Sequence, residues 1–141
     1  MRGLLPQETL VVADCALAWV SFAACEVLAM IESYDFGSIM VDGTKFERDL
    51  IIFPDRIDRG WRRKEGHELG VGGVRGIVGT KPEVLVVGTG YSGMMRILPE
   101  TEEYLASVGI ELVTAKTKEA CKVYNDLSKS KRVVAALHLT C

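Results

Sequence analysis

The chain has 141 residues, 48 % hydrophobic and 26 % charged, enough for one domain with its own core and unlike a disordered or membrane-dominated composition. Its 17 basic and 19 acidic residues leave a formal charge of −2, so the broad basic face that binds nucleic acid is missing and no such partner is expected. The cysteines, Cys15, Cys25, Cys121 and Cys141, form no CxxC pair. A chain of this size needs no disulfide staples, so reduced thiols and a cytoplasmic setting are expected.

Residues 1–30 read as an apolar leader. Cys15 to Cys25 is free of charge, but a membrane-spanning helix needs about twenty apolar residues, so no stable membrane insertion is expected. A signal peptide would use Arg2 as its basic start, against which stand Glu8 and Asp14. The favoured reading is an extension upstream of a natural start at Met30, with one domain over residues 31–141.

From there the pattern becomes regular. Tyr34 to Val41 alternates like a strand, Asp42-Gly43 supplies a tight hairpin turn, and Thr44 to Glu47 returns. Leu50 to Phe53 is a short apolar strand stopped by Pro54, and Asp55 to Gly66 reads as a polar, arginine-rich surface loop. Val71, Val74 and Val78 recur at helical spacing among five glycines, so Leu69 to Gly79 promises only a frayed helix or a packed loop.

The second half is plainer. Glu83 to Val87 is a continuous apolar strand covered on both faces. Pro99 opens a helix with Thr101, Leu105 and Val108 as its inner stripe and Gly109 as its stop. Ile110 to Val113 is the next strand. Thr117 is expected to cap a second helix whose face carries Ala120, Val123, Tyr124 and Leu127, and Val133 to Leu137 closes the domain as a central strand. The fold class is therefore α/β of mixed character, built on a mixed sheet with a parallel part.

An ordered series of segments resembles a known family. Val86-Val-Gly-Thr-Gly90, Gly109-Ile-Glu111, Thr117-Lys-Glu-Ala120, Tyr124-Asn-Asp-Leu127 and Ala135-Ala-Leu-His-Leu-Thr-Cys141 occur in turn, with Phe36-Gly-Ser38 and Trp61 to His67 before them. Together they resemble the Mth-type domain family of conserved hypothetical proteins. Relatives there include an adipogenesis-associated protein and a mitochondrial assembly factor for respiratory complex I. The resemblance spans residues 31–141 and implies three layers: a central mixed β-sheet, flanking helices and a small β-hairpin layer. It implies no enzyme activity and no cofactor, and it suggests action through a protein partner. The sequence departs from the family pattern at Leu69 to Gly79, where relatives carry an ordinary charged helix.

Two places invite a site. Gly88-Thr-Gly-Tyr-Ser-Gly93 spells GxGxxG after a strand, but Pro99 starts the helix too late and Glu111 is misplaced for a dinucleotide. A phosphate or carboxylate on the amides and hydroxyls of Gly88, Thr89, Gly90 and Ser92 is the small-molecule alternative, in a shallow concave site. Trp61, Arg62, Arg63 and His67 combine residue types enriched at protein interfaces, and the same loop equally well folds Trp61 over the core. His67, His138, Cys121 and Cys141 lack the paired spacing of a zinc site, so no metal is expected. No catalytic residue is assigned: Cys141, at the end of the sequence, is too loosely held for a nucleophile unless its segment docks on the domain. The favoured reading is a non-enzymatic binding or assembly module, with oligomerisation left open.

Overall fold

Val84 to Gly88 and Val133 to Leu137 are buried at every position, because each strand has a packed layer on both faces. They pair in parallel, Val86 beside Ala135, at the centre of the domain. The computed structural model describes residues 29–61, 63 and 67–141. The expectations for the leader therefore fall almost wholly outside the described residues. Ala29, which is described, already packs in the core.

In chain order the strands are β1 (Ile31–Asp35), β2 (Ser38–Val41), β3 (Thr44–Phe46), β4 (Leu50–Ile52), β5 (Ile57–Arg59), β6 (Glu68–Leu69), β7 (Val84–Gly88), β8 (Arg96–Ile97), β9 (Glu111–Ala115) and β10 (Val133–Leu137). The helices are α1 (Arg75–Val78), α2 (Pro99–Ser107) and α3 (Thr117–Leu127), and a 3-10 turn covers Val71–Gly73. The central sheet has five strands in the order β5-β4-β10-β7-β9. β10, β7 and β9 run parallel, whereas β4 and β5 run antiparallel to their neighbours, which makes the sheet mixed.

Alternate side chains of the central strands feed two cores. On one face Val84, Val86, Ala135 and Leu137 meet Ala120 and Tyr124 of α3 and the hairpin sheet β1-β2-β3 through Ile39, Val41 and Phe46. On the other, Leu85, Val87, Val134 and Ala136 meet Leu69, Val74, Ile77 and Leu105. This is the three-layer α/β arrangement expected, hairpin layer included.

Several local expectations are corrected. Tyr34 to Val41 is two strands, not one, because Gly37 takes φ 79 and turns the chain back on itself. Asp55 to Gly66 contains β5, an edge strand in which Ile57 pairs with Ile52. Val108 does not line α2: it follows the helix and is 45 % exposed. Thr117 is the first residue of α3 and not its cap, since its hydroxyl is used elsewhere. The Asp42-Gly43 turn forms as expected, with φ of 48 and 80.

Candidate functional site at the carboxyl edge of the sheet

Topology brings the chemistry to one edge. β7, β9 and β10 are parallel, so residues 88–95, the start of α3 and residues 138–141 all leave the sheet on the same side. β4 enters and β5 leaves there too, Leu50 lying opposite both Leu137 and Arg59. This delivers Asp49 to the edge with Trp61 and Arg63 beside it.

The segment 138–141 is docked, which supplies the condition the sequence lacked. The His138 and Leu139 amides donate to the Gly88 carbonyl at 3.0 Å and to Asp49 Oδ1 at 2.9 Å. The Leu139 carbonyl accepts from the Gly37 amide at 2.9 Å and the Tyr34 hydroxyl at 2.7 Å. The carbonyls of Thr140 and Cys141 accept from the amides of Tyr91 and Met94 at 2.7 and 3.2 Å. Burial pushes the Tyr34 phenol up to about 12, so at neutral pH it is the donor this bond requires.

This docking takes up most of the glycine-loop amides that an anion site would need. The Thr89 amide donates to the Ala115 carbonyl, the Gly90 amide to Thr117 Oγ1, the Tyr91 amide to Thr140 and the Gly93 amide to the Gly90 carbonyl. Gly88 and Gly90 are buried. A β-carbon on Gly90, whose φ is 108, would come within 2.6 Å of the Thr140 and Cys141 carbonyl oxygens. The glycine therefore admits the chain's own backbone where a ligand was expected. Thr89 Oγ1 is also engaged, donating to the Ala115 carbonyl at 3.0 Å. Ser92 is exposed, but a single residue is no anion nest. A concavity of about 310 Å³ does lie beside the loop, lined by Tyr34, Asp35, Tyr91, Lys116, Lys118 and Glu119 and by none of the four residues named.

The Trp61 to His67 loop divides in two. Trp61 is 8 % exposed and belongs to the core, its indole N–H donating to the Gly73 carbonyl at 3.3 Å, so its ring offers no partner surface. Arg63 lays its guanidinium over that ring at 4.5 Å and reaches Asp49 Oδ2 at 2.8 Å, its side chain only 6 % exposed. Arg62 lies outside the described residues. His67 is exposed.

Asp49 holds the edge together. Its backbone carbonyl accepts from the amides of Gly60 and Trp61, and its carboxylate from Arg63, Leu139 and His138. Burial opposes ionisation most strongly. The hydrogen bonds from His138, Leu139 and Arg63 together outweigh it and bring the carboxyl down to about 2. His138 Nδ1 lies 2.7 Å from Asp49 Oδ2 and 3.1 Å from Arg63 Nη2, which leaves Nε2 as the other polar atom of the ring. That Nε2 is buried with no hydrogen-bond partner, in a residue only 6 % exposed. The His67 ring meets the His138 ring edge to face at 5.8 Å, and Cys141 Sγ lies 3.6 Å from His67 Nε2. Spacing along the sequence did not mark this group, because Asp49, the pair Arg63 and His67, and His138 come from three separate segments. The other described cysteine, Cys121, is buried, which pushes its thiol up to about 12 and keeps it unreactive.

The same edge carries exposed apolar side chains. Phe36, in the β1–β2 turn, and Tyr91 meet edge to face at 5.7 Å, and Tyr34 lies 6.4 Å from Tyr91. Phe36, Tyr91 and Met94 are 55, 52 and 55 % exposed. Among the described residues no group of His, Cys, Asp or Glu is arranged to hold a metal, and no helix is long and apolar enough to cross a membrane.

Sheet order, the two-sided core and the docked edge define a three-layer α/β domain of the Mth type. Residues 31–138 match the family described as protein of unknown function (DUF498/DUF598), and the chain belongs to that family. A conserved hypothetical protein of Pyrococcus horikoshii OT3 is 32 % identical, with a TM-score of 0.69 over 79 % of this chain and 98 % of that one. A protein of Bordetella parapertussis is 27 % identical, with a TM-score of 0.68 over 79 and 96 % of the two chains. A Mth938-like domain of Bordetella pertussis shares the fold at 21 % identity and a TM-score of 0.63, over 89 and 92 %.

Proposed function

We propose that this chain is a non-enzymatic, cytoplasmic binding module that engages a protein partner through the carboxyl edge of its central sheet. The observation that carries the reading is the Phe36–Tyr91 pair with Met94 nearby, three large side chains each more than half exposed on one edge. Aromatic rings and methionine are enriched at the centres of protein interfaces, and large apolar groups left in water together mark such surfaces more often than bare solvent. The small-anion alternative loses its main support, since the loop amides it needs are spent on the protein's own carbonyls and hydroxyl. Expected partner residues now centre on Phe36, Tyr91 and Met94, with the exposed His67 at the margin and Trp61 withdrawn.

The test is affinity capture with the double variant Phe36→Ser, Tyr91→Ser, read beside thermal unfolding. The expected result is loss of a specific captured partner with little movement of the melting point. Undiminished capture by the folded variant would refute the surface.

A further inference from the structure

We propose that the groove between β1 and α3 binds an extended acidic segment of the partner protein, anchored by an apolar side chain on the aromatic rim. The inference rests on the rim reading above and adds the chemistry of what the rim meets. Two hollows make up the groove. One, of about 330 Å³, has the buried Ile31 and Cys121 at its base and the exposed Lys118 and Lys122 at its mouth. The other is the concavity of about 310 Å³ beside the glycine loop. Both have Tyr34 and Lys118 in their walls, so they run together along α3. Tyr91 lines the second hollow and holds Phe36 edge to face, which sets the exposed apolar rim at its end.

Charge decides the occupant. Lys118 and Lys122 lie four residues apart on α3 and share a face. Lys116, just before the helix, is seated by the loop. A β-carbon on Gly93 would come within 3.3 Å of Lys116 Cγ, so the bare glycine is what admits the lysine stem. Among the described residues none of these three exposed lysines is ion-paired. The acids of the groove are engaged elsewhere. Glu32 Oε1 accepts from the Gly43 amide at 2.7 Å and Asp35 Oδ1 from the Phe36 amide at 2.8 Å, both within the hairpin. Glu119 sits in the first turn of α3, where the helix dipole offsets its charge. Three cations are thereby left for incoming carboxylates. Four residues of helix rise about 6 Å, close to the about 6.7 Å between alternate side chains of an extended strand. Lys118 and Lys122 therefore match carboxylates at every second position of such a segment.

The experiment selects a displayed library of random short peptides on the full chain, then measures the best binder by fluorescence anisotropy. Enriched peptides are expected to combine one aromatic or large apolar residue with acids at alternate positions. Affinity is expected to fall at least tenfold in the double variant Lys118→Glu, Lys122→Glu, and to hold within about twofold in Lys118→Arg, Lys122→Arg. Enrichment of peptides without acids, no enrichment, or undiminished affinity in the folded charge-reversed variant would overturn the proposal. So would displacement by an oligothymidylate of equal charge as readily as by the peptide itself, which marks a general polyanion patch. Apolar peptides lost in Phe36→Ser, Tyr91→Ser but indifferent to the lysines would overturn the groove and leave the rim reading standing. Acidic peptides that need the lysines but ignore Phe36 and Tyr91 would instead refute the rim reading and, with it, the anchor.

Discussion

Asp49 ties two distant segments together, its carboxylate accepting from Arg63 in one and from His138 and Leu139 in the other, so its protonation acts on both. Its carboxyl lies at about 2 in the folded chain against an ordinary 3.8, and a depressed acid stabilises the fold only while it is ionised. That stabilisation, of order 2 kcal/mol, is complete above about pH 4 and is lost as pH falls toward 2. Urea denaturation across this range is expected to show the loss in the native sequence and a flatter profile in Asp49→Asn. The same substitution is expected to cost about 2–4 kcal/mol at pH 7, because it removes the 2.8 Å ion pair between Asp49 and the buried Arg63 side chain. A cost at pH 7 below about 0.5 kcal/mol would mean that Asp49 is only a surface acid. Trp61 marks the other side of residue-scale inference. Composition gave equal grounds for an interface and a core position. Burial depended on the Gly73 carbonyl and the Arg63 stack, neither of which sequence spacing encodes. Trp61→Ala is expected to lose about 3–5 kcal/mol, against less than about 0.5 for Phe36→Ala, as read by urea denaturation.

At the scale of elements, the start of α3 is bolted to the closing segment through one hydroxyl. Thr117 Oγ1 donates to the His138 carbonyl at 2.6 Å and accepts the Gly90 amide at 2.9 Å, with the residue fully buried. Thr117→Val keeps the shape, strands both partners and is expected to cost about 1–3 kcal/mol in chemical denaturation. A neutral result would show that the helix start, loop and closing segment are held by packing alone. The elements best legible in the sequence were those with a continuous apolar run or an intact stripe. β7, β10 and the start of α2 at Pro99 fall within a residue of expectation. The pieces missed were short and long-range. β5, β6 and β8 have two or three residues each, and their pairing depends on partners far along the chain. The glycine loop was legible as a turn but not as a closed one, because the carbonyls that consume its amides come from residues 115, 140 and 141.

At the scale of the whole molecule, two cores on either side of one mixed sheet leave the carboxyl edge as the place where five segments meet. Interior positions there are spent on hydrogen bonding, while Phe36, Tyr91 and Met94 remain outside. The central claim is that this rim meets a protein. Photo-crosslinking tests it most directly, with benzoylphenylalanine placed at position 36, at position 91, or at Val108, which is exposed after α2. In the native cell, positions 36 and 91 are predicted to yield a shared adduct of discrete mass and position 108 none. The claim would be contradicted if neither rim position gave an adduct, or if all three gave the same one.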